Sequence, residues 1–156
     1  MGDIMKILII CKSVHHGNTK KIADAMAEVL NAEVIAPENV SSEDIKKYDL
    51  VGFGSGIYIG KHHKKLLKLA DNLPNGENKT VFVFSTSDNW KQNYHKPLMD
   101  KLNSRGYKTV GEFNCKGFDD WFIFKLIGGR NKGHPNKKDI ENAKKFAENI
   151  KNIENI

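Results

Sequence analysis

Cysteine and proline are scarce: Cys11, Cys115 and four prolines are all that the 156 residues contain. Two cysteines far apart make no disulfide framework, so a reducing cytoplasm is the expected setting. No apolar run approaches the ~20 residues that a membrane-spanning helix needs, and stable insertion is not expected. The first residues lack a signal peptide's basic start and cleavage site. "MGDIMK" also misses the myristoylation pattern, because Lys6 stands where Ser or Thr is required. Neither the lysine-bearing phosphate loop of nucleoside triphosphatases nor the GxGxxG dinucleotide fingerprint occurs. The aromatic-interleaved basic motifs of nucleic-acid modules are missing too, and no nucleic-acid partner is expected. The sequence has no internal repeat and no low-complexity segment.

What is present describes one ordinary folding unit, residues 1–156, with 39% hydrophobic and 28% charged residues. Twenty-five basic residues against 19 acidic ones leave a net charge of +6, which favours an acidic partner or a phosphorylated ligand.

Hydrophobic patterning divides the chain into alternating strands and helices. Residues 5–11 are apolar apart from Lys6, as a strand buried on both faces should be. From Gly17, residues Ile22, Ala25, Met26, Val29 and Leu30 recur at helical spacing. "AEVIAP" (32–37) reads as a second strand, and "SSEDIKKY" as a short helix with a serine cap. "DLVGFGSG" (49–56) reads as a third strand, "HHKKLLKLADNL" as a helix and "TVFVFSTS" (80–87) as a fourth strand. "YHKPLMDKLNSRG" predicts a helix with Pro97 in its first turn and Gly106 at its end. "YKTVGEFNC" (107–115) predicts a fifth strand. The closing helix carries Ile140, Ala143, Ala147 and Ile150 on one face, behind a capping box of Asn136 and Asp139. Five strands alternating with helices predict an α/β fold: a parallel sheet covered by helices on both faces. Ligands of such sheets bind beyond the carboxyl ends of the strands.

The loops at those ends carry the unusual residues. "SVHHGNTKKIADAM" (13–26) follows the first strand. Ser13, Asn18 and Thr19 can donate to phosphate oxygens at a helix N-terminus, and Gly17 permits close approach of the backbone. "GSGIYIGKHH" follows the third strand, where glycines flanking an exposed Tyr58 suit a flat ligand stacked on the ring. "STSDNW" closes the fourth strand with hydroxyls, an acid, an amide and Trp90 as a second stacking face. "NCKGF" ends the fifth strand.

One phosphate-type loop after the first strand and ring-type loops after the third and fourth resemble the flavodoxin family, from Met5 to about Asn152. The resemblance implies a three-layer sandwich around a five-stranded parallel sheet of order 2-1-3-4-5, with FMN as cofactor. By that resemblance Ser13, His15, His16, Gly17, Asn18 and Thr19 hold the FMN phosphate. Gly56, Ile57, Tyr58, Ile59 and Gly60 face one side of the isoalloxazine, with a carbonyl of Gly56 or Gly60 accepting its N5–H. Thr86, Ser87, Asp88, Asn89 and Trp90 meet its pyrimidine edge and other face. The implied function is electron transfer with a redox partner protein by a monomer or weak dimer, and no side chain need act as acid or base. The alternative is an FMN-dependent oxidoreductase. The order of "SxxxGxT", "GxxIYxGKHH" and a late "FKLIGG" looks like the menaquinone-dependent protoporphyrinogen oxidases, with "FDDWFIFKLIGG" (118–129) as a lid or docking surface.

Paired histidines lack the i,i+4 geometry of a shared metal site, and none is expected. Cys11 and Cys115 end strands that this topology separates, so no disulfide is expected. "KHHKKLLK" places four lysines beside the ring-type loop, as a docking patch for an acidic partner or a solvated helix face.

Overall fold

In the computed structural model, residues 4–14, 17–87, 93–116 and 134–154 are described. The strands are β1 (Ile7–Lys12), β2 (Glu33–Ile35), β3 (Leu50–Tyr58), β4 (Lys61–His62), β5 (Thr80–Ser87) and β6 (Lys108–Lys116). The helices are α1 (Asn18–Leu30), α2 (Lys64–Asp71), α3 (Lys96–Ser104) and α4 (Lys137–Ile153). Five strands are parallel in the order β2-β1-β3-β5-β6, the topology expected. The sixth is unexpected: β4 folds back antiparallel on the end of β3.

Strand alternation sorts the core into two layers. Ile7, Ile9 and Cys11 of β1 face α1 and α4, where Ile22, Met26, Ala143, Ala147 and Ile150 are buried. Leu8 and Ile10 face α2 and α3, against Leu66, Leu67, Ala70, Leu98 and Leu102. On the first face β3 presents Gly52 and Gly54, and β5 lays Phe82 and Phe84 across them. A Cβ at Gly52 would lie 2.3 Å from the Phe82 ring, and one at Gly54 would lie 2.2 Å from Phe84. These glycines serve close packing, not turning.

Three local expectations change. Only Glu33–Ile35 of 32–37 pairs as strand, and Pro37 opens a 3₁₀ turn, Pro37–Asn39. "SSEDIKKY" forms one 3₁₀ turn, Asp44–Lys47, with Ser41 Oγ accepting from the Glu43 amide. Ile45 is its one buried residue, too little apolar surface to hold an α-helix there. His62 belongs to β4, and His63 is the cap of α2, its Nδ1 accepting from the Lys65 amide. The Asn136–Asp139 capping box, the early proline of α3 and the turn at Gly106 (φ +89°) stand as read.

Candidate functional site

The chain passes from β1 outward to β2 and returns to β3 on the other side of β1. The winding therefore reverses between β1 and β3, and their carboxyl ends open into a crevice. Three of the loops singled out by sequence meet at this edge of the sheet.

At the first, Gly17 caps α1 in a left-handed conformation (φ +67°) and offers no side chain to the first-turn amides. That turn contains no acidic residue. Such an N-terminus favours an anion, through N–H groups lacking intrahelical acceptors and through the helix dipole. Ser13 lies beside it and its Oγ accepts from the Lys20 amide at 3.2 Å. Cys11, Lys12, Ser13, Gly17 and Lys20, with Val34 of β2 and Ala36, line a cleft of about 360 Å³ on the β2 side of β1. Asn18 and Thr19 are buried. The Thr19 hydroxyl meets the Thr86 hydroxyl at 2.8 Å, which ties the start of α1 to the end of β5. His15 and His16 lie outside the described residues.

The second loop is a hairpin. Ile57 pairs with His62 and Tyr58 with Lys61, so Ile59 and Gly60 form a two-residue turn with φ +51° and +76°. Positive φ at both central residues is the type I′ geometry that suits the twist of a hairpin. Gly60 adopts it freely, whereas Ile59 is β-branched, strained there and fully exposed. Tyr58 is half-buried, not exposed as expected: its ring lies over Gly56, whose added Cβ would sit 3.1 Å from the tyrosine oxygen. Burial raises the Tyr58 pKa, and nearby Cys11 adds to the rise.

The third is the end of β5. Thr86 pairs in register with Gly56, which sets the two ring-type segments side by side. Ser87 is buried and its hydroxyl has no partner among the described residues. Asp88, Asn89 and Trp90 lie outside the described residues, as does the segment 118–129.

Sequence reasoning missed a polar layer under these loops on the α2/α3 face. His95, the residue before α3, is 1% exposed. Its Nε2 meets Ser85 Oγ at 2.7 Å and its Nδ1 meets Glu112 Oε1 at 2.9 Å. A carboxylate only accepts, so Nδ1 carries the proton and the Ser85 hydroxyl donates to Nε2. His62 Nε2 donates to the Phe84 carbonyl at 2.9 Å, and its ring centroid lies 5.1 Å from that of His95. Burial pushes the His95 pKa down to about 4. Burial, followed by the His95 neighbour, pushes that of His62 down to about 3. Both rings are neutral at pH 7. The one sequence signal was the placement of His95 just before a helix.

Both cysteines are free and buried, with burial pushing each thiol up to about 12. Among the described residues no cluster of His, Cys, Asp and Glu could hold a metal, and no helix is long and apolar enough to cross a membrane.

This architecture has known counterparts. Residues 8–117 match the family model described as a flavodoxin domain, and the chain belongs to that family. An uncharacterised protein of Methanocaldococcus jannaschii is 51% identical over 148 residues, covering 94% of this chain and 98% of the relative. Among solved structures, oxidised flavodoxin 2 of Bacillus cereus superposes with a TM-score of 0.68 at 20% identity, covering 91% of this chain and 94% of that one. A flavodoxin from the domain Archaea gives 0.63 at 18% identity, covering 92% and 94%. At these identities the likeness to the two flavodoxins is one of fold.

Proposed function

We propose that the protein binds FMN at the crevice between β1 and β3 and passes electrons to and from a partner protein. The observation that carries this reading is the convergence of three elements at one edge of the sheet. They are an α1 N-terminus with a glycine cap and no acidic residue in its first turn, the Gly56–Gly60 hairpin and the end of β5, joined by Thr19–Thr86 and by the pairing of Gly56 with Thr86. The residues fit such a ligand: Gly17 puts no side chain over the start of α1, whose first turn carries no acidic residue, and the buried Ser87 hydroxyl lacks a partner among the described residues.

When bound, FMN supplies the one- and two-electron chemistry. Ser13, Gly17, Asn18 and Thr19 hold the phosphate, with Thr19 acting through its bond to Thr86 as well as through its backbone. Gly56, Ile57, Tyr58, Ile59, Gly60, Thr86 and Ser87 bound the ring. His15, His16, Asp88, Asn89 and Trp90 complete the site by sequence position. Exposed Lys61 and Lys64 flank the hairpin tip and present positive charge to an acidic partner. Unit charges ~10 Å apart interact by roughly 0.4 to 1.7 kcal/mol across effective dielectrics of ~80 to 20, so electron exchange should slow as salt rises.

Titrating the flavin-free protein with FMN and with riboflavin tests the reading. FMN should bind much more tightly, and Ser13→Ala should weaken FMN while leaving riboflavin almost unchanged. Ser13 is the cleaner choice than Thr19, whose substitution also breaks a buried hydrogen bond. Equal affinity for the two flavins would remove the phosphate assignment of residues 13–19.

A further inference from the structure

Two serines stand opposite each other where the ring-type loops begin. Ser55 of β3 pairs in register with Ser85 of β5, and they are 0% and 1% exposed. Strand alternation places both on the α2/α3 face, beneath the loops and away from Thr19 and Thr86. Each is bonded to the histidine that caps the next helix. Ser55 Oγ donates to the Gly56 carbonyl at 2.6 Å and accepts from the His63 amide at 2.9 Å, closing the 56–62 hairpin at its base. Ser85 Oγ donates to His95 Nε2 at 2.7 Å, tying the end of β5 to the start of α3. His95 is held from behind by Glu112 of β6, and the His62 ring packs against that of His95. The order serine, histidine, carboxylate is also that of an activated nucleophile. Ser85, however, is sealed within the sheet, so no substrate reaches its hydroxyl.

We propose that Ser55, Ser85, His95 and Glu112 are positioning residues of the ring half of the site, fixing the Gly56–Gly60 hairpin and the end of β5 before the cofactor arrives. The inference rests on the FMN reading. None of the four touches the ligand; they act by removing conformations that binding would otherwise have to exclude. A loop held in its bound shape binds more tightly because less entropy is lost on association. Because these bonds lie under the ring loops and not under α1, their effect falls equally on FMN and riboflavin.

The test uses the full chain and both flavins. Glu112 has a 44% exposed side chain, so substitutions there leave the core intact. Glu112→Ala should weaken FMN and riboflavin by the same factor, about tenfold, which is what ~1.4 kcal/mol of lost preorganisation amounts to. Glu112→Gln, whose amide oxygen can still accept from Nδ1–H, should stay within about twofold of the wild type. Ser85→Ala should reproduce the parallel loss, and the slowly exchanging Nδ1 proton of His95 should vanish from the NMR spectrum of Glu112→Ala. If melting temperature falls in Glu112→Ala and Ser85→Ala while both affinities hold, the residues are structural only and the proposal is overturned. A loss confined to FMN overturns it as well. A wild type that binds neither flavin overturns the FMN reading, and this inference with it. Wild-type binding that ignores all three variants overturns this inference alone.

Discussion

The two faces of the sheet reach the site edge by opposite chemistry. On the α1/α4 face, apolar packing runs almost to the carboxyl ends. Phe82 and Phe84 lie on Gly52 and Gly54, and a single hydroxyl pair, Thr19–Thr86, crosses above them. On the α2/α3 face the apolar layer stops at Val83 and Phe53, and serines and neutral histidines take over. Packing against glycine fixes strand distance but says little about loops. Directed hydrogen bonds fix loops but demand that every donor find its acceptor. The first face therefore sets where the strands stand, and the second sets how the loops leave them.

Acid should separate the faces most. His62 and His95 have folded-state pKa values of about 3 and about 4, below the 6.5 of an unperturbed imidazole. Their neutral-state stability is complete above pH 6.5 and is lost as pH falls from there toward the folded values. Urea unfolding between pH 6.5 and 5, where most carboxylates stay charged, should show a slope of up to about 1.4 kcal/mol per pH unit for each histidine. A flat profile would mean that these rings are not buried neutral. Next in size is Gly54→Val, which forces methyl groups into the Phe84 ring and should cost about 3 kcal/mol of stability in the same assay. Gly54→Val Phe84→Leu should recover part of that loss, and no recovery would show that the ring is not the obstacle. Thr86→Ala leaves the Thr19 hydroxyl buried without its partner and should cost about 1 to 2 kcal/mol. A neutral result would imply that Thr19 finds another acceptor. The smallest change runs the other way. Ile59→Gly relieves a β-branched residue at φ +51° and should raise stability by roughly 1 kcal/mol or less, read as a small rise in melting temperature.

β1, β3 and β5 were legible because each carries a nearly continuous buried run, whereas β2 and the mixed β6 were placed by their position between helices, and the strand order followed from the family resemblance. β4 was not legible: Lys61 and His62 are polar, and its turn uses Ile-Gly where Asn-Gly is the usual signal. The glycines of "GFGSGIYIG" look alike as letters yet act in different ways. Gly54 admits a ring, Gly56 lies under Tyr58, and of these three glycines only Gly60 turns the chain. The polar residues after β1 stood out because their contacts are local, with Ser13 bonded to the Lys20 amide seven residues on. The Ser85–His95–Glu112 chain did not, since its members meet only after β5, α3 and β6 assemble. Tertiary pairing of this kind leaves no periodic trace.

The pairing of Ser55 with Ser85 carries one more consequence. Shifting β3 against β5 by a single residue turns one serine to the opposite face. His63 or His95 would then lose its serine partner. A mis-paired sheet could still bury its hydrophobic residues and pass as compact, but it would not make both serine–histidine bonds. The paired serines thus act as a register check: only a chain folded in the correct register makes both serine–histidine bonds.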